Sequence, residues 1–136
     1  MISLPDLEGS WELNRRIEDA YGGIQGRFQG RCVWRPDAHG LVQEERGILT
    51  YGAAPPMQAT RRYLWRQDGE DLVVLFEDRR PFHSLGPGRL QDRHLCDPDT
   101  YDVSYDLSAW PTWQQRWCVT GPRKDSMITS IFTPNG

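Results

Sequence analysis

The sequence predicts an all-β fold, a single up-and-down antiparallel β-barrel of eight to ten strands that spans residues 1–136. Turn-forming residues recur about every 8–12 positions, and no helical period of apolar residues survives beyond one turn. The chain also opens its first alternating segment with Gly9-Ser10-Trp11 and places the turn Gly121–Asp125 before its last one. Small barrels commonly plug one end with side chains of this kind, and the short connections favour a meander over a Greek key, which needs a long crossover.

Ten segments are predicted as strands because apolar and polar residues alternate along them. They are Gly9–Ile17, Gln25–Arg35, Leu41–Tyr51, Gln58–Arg66, Asp71–Glu77, Pro81–Leu85, Arg89–Leu95, Tyr101–Leu107, Thr112–Thr120 and Met127–Thr133. Gly, Pro and Asp fill the breaks between them, as turns require. A single helical turn within Met1–Leu7 is expected to cap the barrel.

Composition narrows the function classes. With 38% hydrophobic and 26% charged residues, the chain is neither disordered nor a membrane span. The net charge of −3, with both signs interleaved, predicts no nucleic-acid partner and no membrane partner. The first residues lack the basic and apolar regions of a secretory signal, and the three cysteines show no CxxC spacing. We therefore expect a cytoplasmic protein with reduced thiols; a homodimer is left open.

Polar residues recur on the inner faces of several predicted strands. Period-two alternation places Arg15, Gln43, Glu45, Arg61 and Gln115 on the same faces as the aromatic residues. Because unpaired buried charge is costly, these side chains must pair or face water, which indicates a polar, aromatic-lined cavity. Such a cavity suits a small anionic or amphipathic molecule. The predicted ligand-binding residues are Arg15, Arg61, Tyr63, His83, His94, Tyr105 and Trp117.

The predicted hairpin at Asp78-Arg79 determines which residue lies opposite His83. A two-residue turn there sets Val74 opposite His83 and Phe76 opposite Pro81. The strand Asp71–Glu77 is apolar on both faces, so the pattern leaves open which face points inward. His83 is accordingly either a cavity residue or a packed one.

The stretch from Arg93 to Tyr101 contains the highest density of residues that can transfer protons or bind metal. The first alternative to ligand binding is a small enzyme that uses His94, Asp99 and Tyr101 for acid–base catalysis, although an enzyme is not favoured. His83, His94 and Cys96 are weak zinc candidates, and His83 or His94 could ligate haem, but no cofactor is predicted. The second alternative is a structural or interaction domain whose barrel is filled.

The first and last motifs of the chain predict how the barrel is closed. We expect Trp11 to close one end, with the cation of Arg123 over its ring.

Six motifs spread along the chain are similar to those of an uncharacterised bacterial family of lipocalin-like (calycin-type) domains of unknown function. They are Gly9-x-Trp11, Phe28-x-Gly30, Arg62-Tyr63-x-Trp65, Pro81-Phe82-His83-x-Leu85, His94-x-Cys96-x-Pro98-Asp99-x-Tyr101 and Gly121-Pro122-Arg123-Lys124-Asp125. The resemblance implies a calycin-type barrel and no established activity.

Overall fold

Ten antiparallel strands form one continuous sheet in a computed structural model that describes residues 1–135. A helical turn, α1 (Leu4–Leu7), precedes them. The strands are β1 (Gly9–Asp19), β2 (Ile24–Pro36), β3 (Gly40–Tyr51), β4 (Met57–Asp68), β5 (Asp71–Phe76), β6 (Pro81–Leu85), β7 (Gln91–Cys96), β8 (Asp99–Asp106), β9 (Trp113–Gly121) and β10 (Lys124–Pro134). All ten predicted strands are confirmed, with ends that move by a few residues. Within residues 1–135, no helix has the length and apolar character needed to cross a membrane.

The strand order makes the sheet a nearly closed barrel. It runs β6-β5-β4-β3-β2-β1-β10-β9-β8-β7, so every sequential pair except β6 and β7 is a hairpin, and β1 also pairs with β10. The edges of β6 and β7 meet at what we call the seam. There the Ser84 backbone N–H donates to Asp92 Oδ2 at 2.8 Å, and a single backbone bridge joins Gly86 to Arg89. The up-and-down prediction is confirmed.

Burial alternates along the strands as predicted. β1 buries Trp11, Leu13 and Arg15, while the residues between them are exposed. On β5, Leu72 and Val74 are buried, which identifies the inward face that the sequence left open. Side chains that point inward from all parts of the sheet therefore share one interior.

The hairpin between β5 and β6 differs from its prediction. Val74 does pair with His83, but Pro81 pairs with Leu75 instead of Phe76. The turn is one residue longer than predicted, because Arg79 adopts a left-handed backbone (φ 73°) and Phe76 bonds to Arg80 across it. A β-bulge follows, since β6 advances two residues from Pro81 to His83 while β5 advances one. Both Phe82 and His83 are consequently buried.

One end of the barrel is closed by a cluster that we call the tryptophan floor: Trp11, Trp34, Trp65, Trp113 and Phe132. All five are buried, and the rings of Trp113 and Phe132 stack with centroids 4.1 Å apart. The Trp11 indole N–H donates to the Leu7 carbonyl at 2.8 Å, so α1 caps this end as predicted.

The predicted cover of Trp11 by Arg123 is wrong. Because β10 runs antiparallel to β1, the turn that carries Arg123 lies beside the Asp19 end of β1, at the opposite end of the barrel from Trp11. Arg123 is exposed there. The ring near Trp11 on the outside is instead Trp110, from the loop between β8 and β9, at 5.7 Å.

Candidate functional site

A buried ion pair joins β1 to β3 in the barrel interior, above the tryptophan floor. Arg15 donates from Nη1 and Nη2 to the two Glu45 oxygens at 2.8 Å each, and from Nε to Ser130 Oγ at 2.7 Å. Burial disfavours the charge of Arg15, but the Glu45 carboxylate outweighs it and holds the pKa of the guanidinium above its ordinary value. The bidentate geometry fixes both side chains, and it uses both of the Arg15 donor groups that face Glu45.

The same carboxylate links the ion pair to the floor. Gln43 Nε2 donates to Glu45 Oε2 at 3.0 Å, and the Trp65 indole N–H donates to Gln43 Oε1 at 2.7 Å. The side chains of Arg15, Ser130, Glu45, Gln43 and Trp65 thus form one hydrogen-bonded chain. Such satisfied networks rigidify a core, which suits a supporting wall better than a mobile contact.

A second buried polar cluster lies beside the seam. Gln115 Nε2 donates to the Tyr105 hydroxyl at 2.8 Å, and that hydroxyl also bonds to His83 Nε2. Burial lowers the pKa of His83 to about 3, so its imidazole is neutral, and burial raises the pKa of Tyr105. His83 Nδ1 has no hydrogen-bond partner among residues 1–135.

The end opposite the floor holds a small pocket, which we call the mouth pocket. Its volume is about 90 Å³, room for about three water molecules. It is lined by Arg15, Ile17, Phe28, Glu45, Leu49, Ala59, Thr60, Arg61, Trp117 and Ile128. The walls are therefore mainly apolar, with charged groups at a few positions.

Two residues that line the mouth pocket, Arg61 and Trp117, have hydrogen-bond donors without strong partners. Arg61 is exposed, forms no ion pair within residues 1–135, and contacts the Tyr63 hydroxyl through Nη1 at 3.3 Å. The buried Trp117 indole N–H has no hydrogen-bond partner in the described part of the chain. Since Glu45 neutralises Arg15, the pocket retains one unmatched positive charge, that of Arg61.

An aromatic cluster separates the mouth pocket from the seam, with Phe82 at its centre. The Phe82 ring stacks on Phe76 at 4.5 Å and meets the edges of Trp117 at 5.1 Å and His94 at 5.4 Å. The contact with His94 bridges β6 and β7 where no backbone ladder does. Sequence reasoning missed Phe82, because strict alternation after a buried His83 would turn it outward.

The candidate acid–base set is brought together only in part, since His94 and Tyr101 are opposite each other on β7 and β8 but share no hydrogen bond, and Asp99 is not part of the pair. The rings of His94 and Tyr101 lie 6.0 Å apart, and Asp99 binds Lys124 Nζ at 3.0 Å instead of an imidazole. No hydrogen bond joins His94 to Asp99 or Tyr101 within residues 1–135. Cys96 is exposed, and the described residues contain no group of three His, Cys, Asp or Glu side chains able to hold a metal ion.

The predicted ligand-binding residues separate into three places. The mouth pocket gathers Arg15, Arg61 and Trp117, with Tyr63 bonded to Arg61. His83 and Tyr105 share the buried cluster, and His94 lies at the seam. Glu45 was placed on the inner face by the sequence but not assigned to the site; an inward carboxylate near an inward arginine was the signal for the pair.

The fold and the site define a small, nearly closed antiparallel β-barrel with a partly charged pocket at one end. A family model described as a family of unknown function (DUF6314) matches residues 7–134. The chain belongs to this family, which confirms the resemblance to a family of unknown function.

Two solved structures are similar to this chain. One is a redesigned β-barrel, mFAP1, bound to DFHBI, with 13% identity, a TM-score of 0.43, and coverage of 96% of this chain and 97% of that one. The other is the redesigned barrel mFAP0, also bound to DFHBI, with 15% identity, a TM-score of 0.43, and coverage of 95% and 99%. Among curated proteins, none matches this chain significantly.

Proposed function

We propose that this barrel binds a small molecule through an anionic group placed in the mouth pocket. The observation that carries the proposal is the Arg61 guanidinium, which lines the pocket without a carboxylate partner within residues 1–135. Charge-assisted hydrogen bonds from Arg61 would hold a carboxylate of the ligand. We further propose that the Trp117 ring turns its N–H, which is shielded from solvent and unpartnered in the described part of the free protein like those of Trp34 and Trp113, toward the same carboxylate.

The charge balance supports an anion over a neutral or cationic ligand. Arg15 was predicted to bind the ligand, but its guanidinium is already matched by Glu45 at 2.8 Å. Breaking that pair would leave a buried charge alone, which costs more than a surface contact returns. Arg61 is therefore the cation that meets the ligand, and Arg15 forms part of the wall.

The pocket's size limits which part of a ligand enters. A volume of about 90 Å³ lies below the roughly 300–1,000 Å³ of sites that enclose a whole drug-sized molecule. An acidic head group with the first carbons of an apolar tail fits, since Ile17, Leu49 and Ile128 line the same pocket, and the rest of the molecule would lie outside. An amphipathic carboxylate has this shape.

Calorimetric titration with octanoate and with octanol tests the proposal, because the two probes share a tail and differ in charge. We expect octanoate to bind and octanol not to bind. Arg61→Gln should weaken octanoate binding at least about tenfold, in keeping with the loss of a charged contact. Arg62→Gln is the matched control, since the neighbouring side chain points outward and pairs with Glu44.

A second variant tests the indole separately. Trp117→Phe keeps an aromatic wall and removes only the N–H donor and part of the ring, so octanoate binding should weaken by a smaller factor than in Arg61→Gln. Native mass spectrometry of freshly purified protein would reveal a natural ligand by its mass. Equal binding of octanol and octanoate, or no effect of Arg61→Gln, would contradict an anion site, and binding of neither probe would favour the filled-barrel alternative.

A further inference from the structure

The outer surface of the barrel carries a patch that the mouth pocket does not involve, which we call the arginine face. It consists of five exposed arginines in one part of the sheet: Arg46 on β3, Arg27 and Arg31 on β2, Arg16 on β1 and, beyond β10, Arg116 on β9. Because side chains alternate across a strand, these residues point away from the interior that Arg15 and Trp117 face.

Like charges stand directly opposite one another on this face. In the ladder of β1 with β2, Arg16 is opposite Arg27, and in the ladder of β2 with β3, Arg31 is opposite Arg46. Cross-strand neighbours are about 5 Å apart, so two guanidiniums in this position repel and destabilise the sheet. Two such pairs on neighbouring strands are a cost that the fold itself does not require.

Carboxylates do little to offset that charge. Of the five arginines, Arg16 alone forms an ion pair within residues 1–135, with the exposed Glu18 at 3.0 Å. Glu12 stands opposite Arg31 without pairing to it. Arginines elsewhere on the outside do have acidic partners, for example Arg66 with Asp37 and Arg93 with Asp102.

The arginine face also contains a shallow depression and exposed apolar side chains. Arg16, Arg27 and Arg116 line a shallow depression of about 340 Å³ together with the amide side chains of Asn14, Gln29 and Gln114. Ile131, 39% exposed, lies in the same depression, and Ile48, 44% exposed, is opposite Gln29. Exposed apolar side chains between arginines are typical of the surfaces that proteins use to bind one another.

We propose that the arginine face binds a carboxylate-rich surface of another protein. Guanidinium groups match carboxylates in bidentate pairs, and such a partner would relieve both Arg–Arg repulsions at once. A nucleic acid fits less well, since the net charge is −3 and the outward positions of β9, β10, β1, β2 and β3 hold no aromatic residue for base stacking. A symmetric second copy would set arginine against arginine.

Binding of a glutamate homopolymer peptide, with an oligothymidylate of equal length as comparison, tests the proposal at about 0.15 M salt. We expect the peptide to bind more tightly than the oligonucleotide. The double variant Arg16→Glu/Arg27→Glu should weaken peptide binding at least about tenfold. The matched control Arg80→Glu/Arg93→Glu makes the same charge change on the β6–β7 side and should leave binding within about twofold.

Thermal unfolding gives an independent measurement on the free protein. Arg27→Glu replaces a repulsion with an attraction, so the Tm should rise, whereas Arg62→Glu breaks the pair with Glu44 and should lower it. The proposal is overturned if both double variants weaken the peptide equally, if the oligonucleotide binds more tightly, if Arg27→Glu lowers the Tm, or if sedimentation velocity shows self-association that Arg16→Glu/Arg27→Glu abolishes.

Discussion

The tryptophan floor and the mouth pocket lie at opposite ends of one barrel and use similar side chains differently. In the floor, Trp34 and Trp113 are each 1% exposed, and their rings contact one another and Phe132. At the mouth, Trp117 borders open space and Arg61 reaches solvent. One end is filled with rings and the other is left incomplete, so we expect the floor to contribute more to stability and propose the mouth as the binding end.

The Arg15–Glu45 pair forms the boundary between these two ends, and breaking it should give the largest effect. Glu45→Ala leaves a buried guanidinium without its carboxylate, so we expect a loss of about 3–5 kcal/mol in the free energy of unfolding by urea denaturation. The double variant Arg15→Met/Glu45→Met removes both charges and should recover most of that loss. A double variant as unstable as Glu45→Ala would mean that the pair itself, and not the orphaned charge, carries the stability.

Replacing one tryptophan at each end by alanine compares the packing of the floor with that of the mouth. Trp113→Ala opens a cavity in closely packed rings and should cost about 3–5 kcal/mol of unfolding free energy. Trp117→Ala enlarges a pocket that is already open, and water can enter it, so it should cost about half as much. Equal losses in denaturant titrations would show that the mouth is as tightly packed as the floor.

Acid should destabilise the fold through His83. Its pKa is about 3 in the folded protein and 6.5 in the ordinary case, so between these values the unfolded chain binds the proton that the folded chain excludes. Unfolding free energy should therefore be unaffected by this group above pH 6.5 and fall below it by up to about 1.4 kcal/mol per pH unit. Denaturation curves of the wild type and of His83→Gln should diverge as pH falls from 7 to 4; parallel profiles would contradict a buried neutral imidazole.

A substitution at the seam should cause the smallest loss of unfolding free energy. Asp92→Ala removes the acceptor of the Ser84 N–H, and we expect a loss of about 1–2 kcal/mol with faster hydrogen exchange at the Ser84 amide. Asp102→Ala, which breaks only the exposed pair with Arg93, is the control and should cost under about 1 kcal/mol. Unchanged exchange at Ser84 in Asp92→Ala would show that this hydrogen bond does not hold the seam closed.

Local pattern was enough to predict the strands and most of the inward faces, with β5 and Phe82 as the exceptions. Alternation placed Arg15, Glu45 and Trp117 inside correctly, because a strand with one buried face fixes its register. Chain direction would also have placed Arg123 far from Trp11, since the start of β10 must lie beside the end of β1.

The sequence pattern did not predict which side chains from different hairpins pair with one another. The partner of Asp99 is Lys124, which approaches from another hairpin, so proximity in sequence to His94 was misleading. The longer turn before β6 inverted the orientation of Phe82, because one extra residue changes the face of a side chain. The cytoplasmic location and the bacterial origin stay predictions.

The pairing of β1 with β10 has a consequence for how the chain folds. This ladder joins residues from opposite ends of the sequence, whereas every other ladder in the barrel connects neighbouring strands of the chain. Joining the end of β10 to α1, which leads into β1, and opening the chain within Gly86–Gly88 would make sequence order equal to sheet order, with both new termini at the seam. Such a circular permutant would keep the ladders of the sheet at a lower contact order and should fold faster than the natural chain, which would make the connectivity, and not the architecture, the slow element of this barrel.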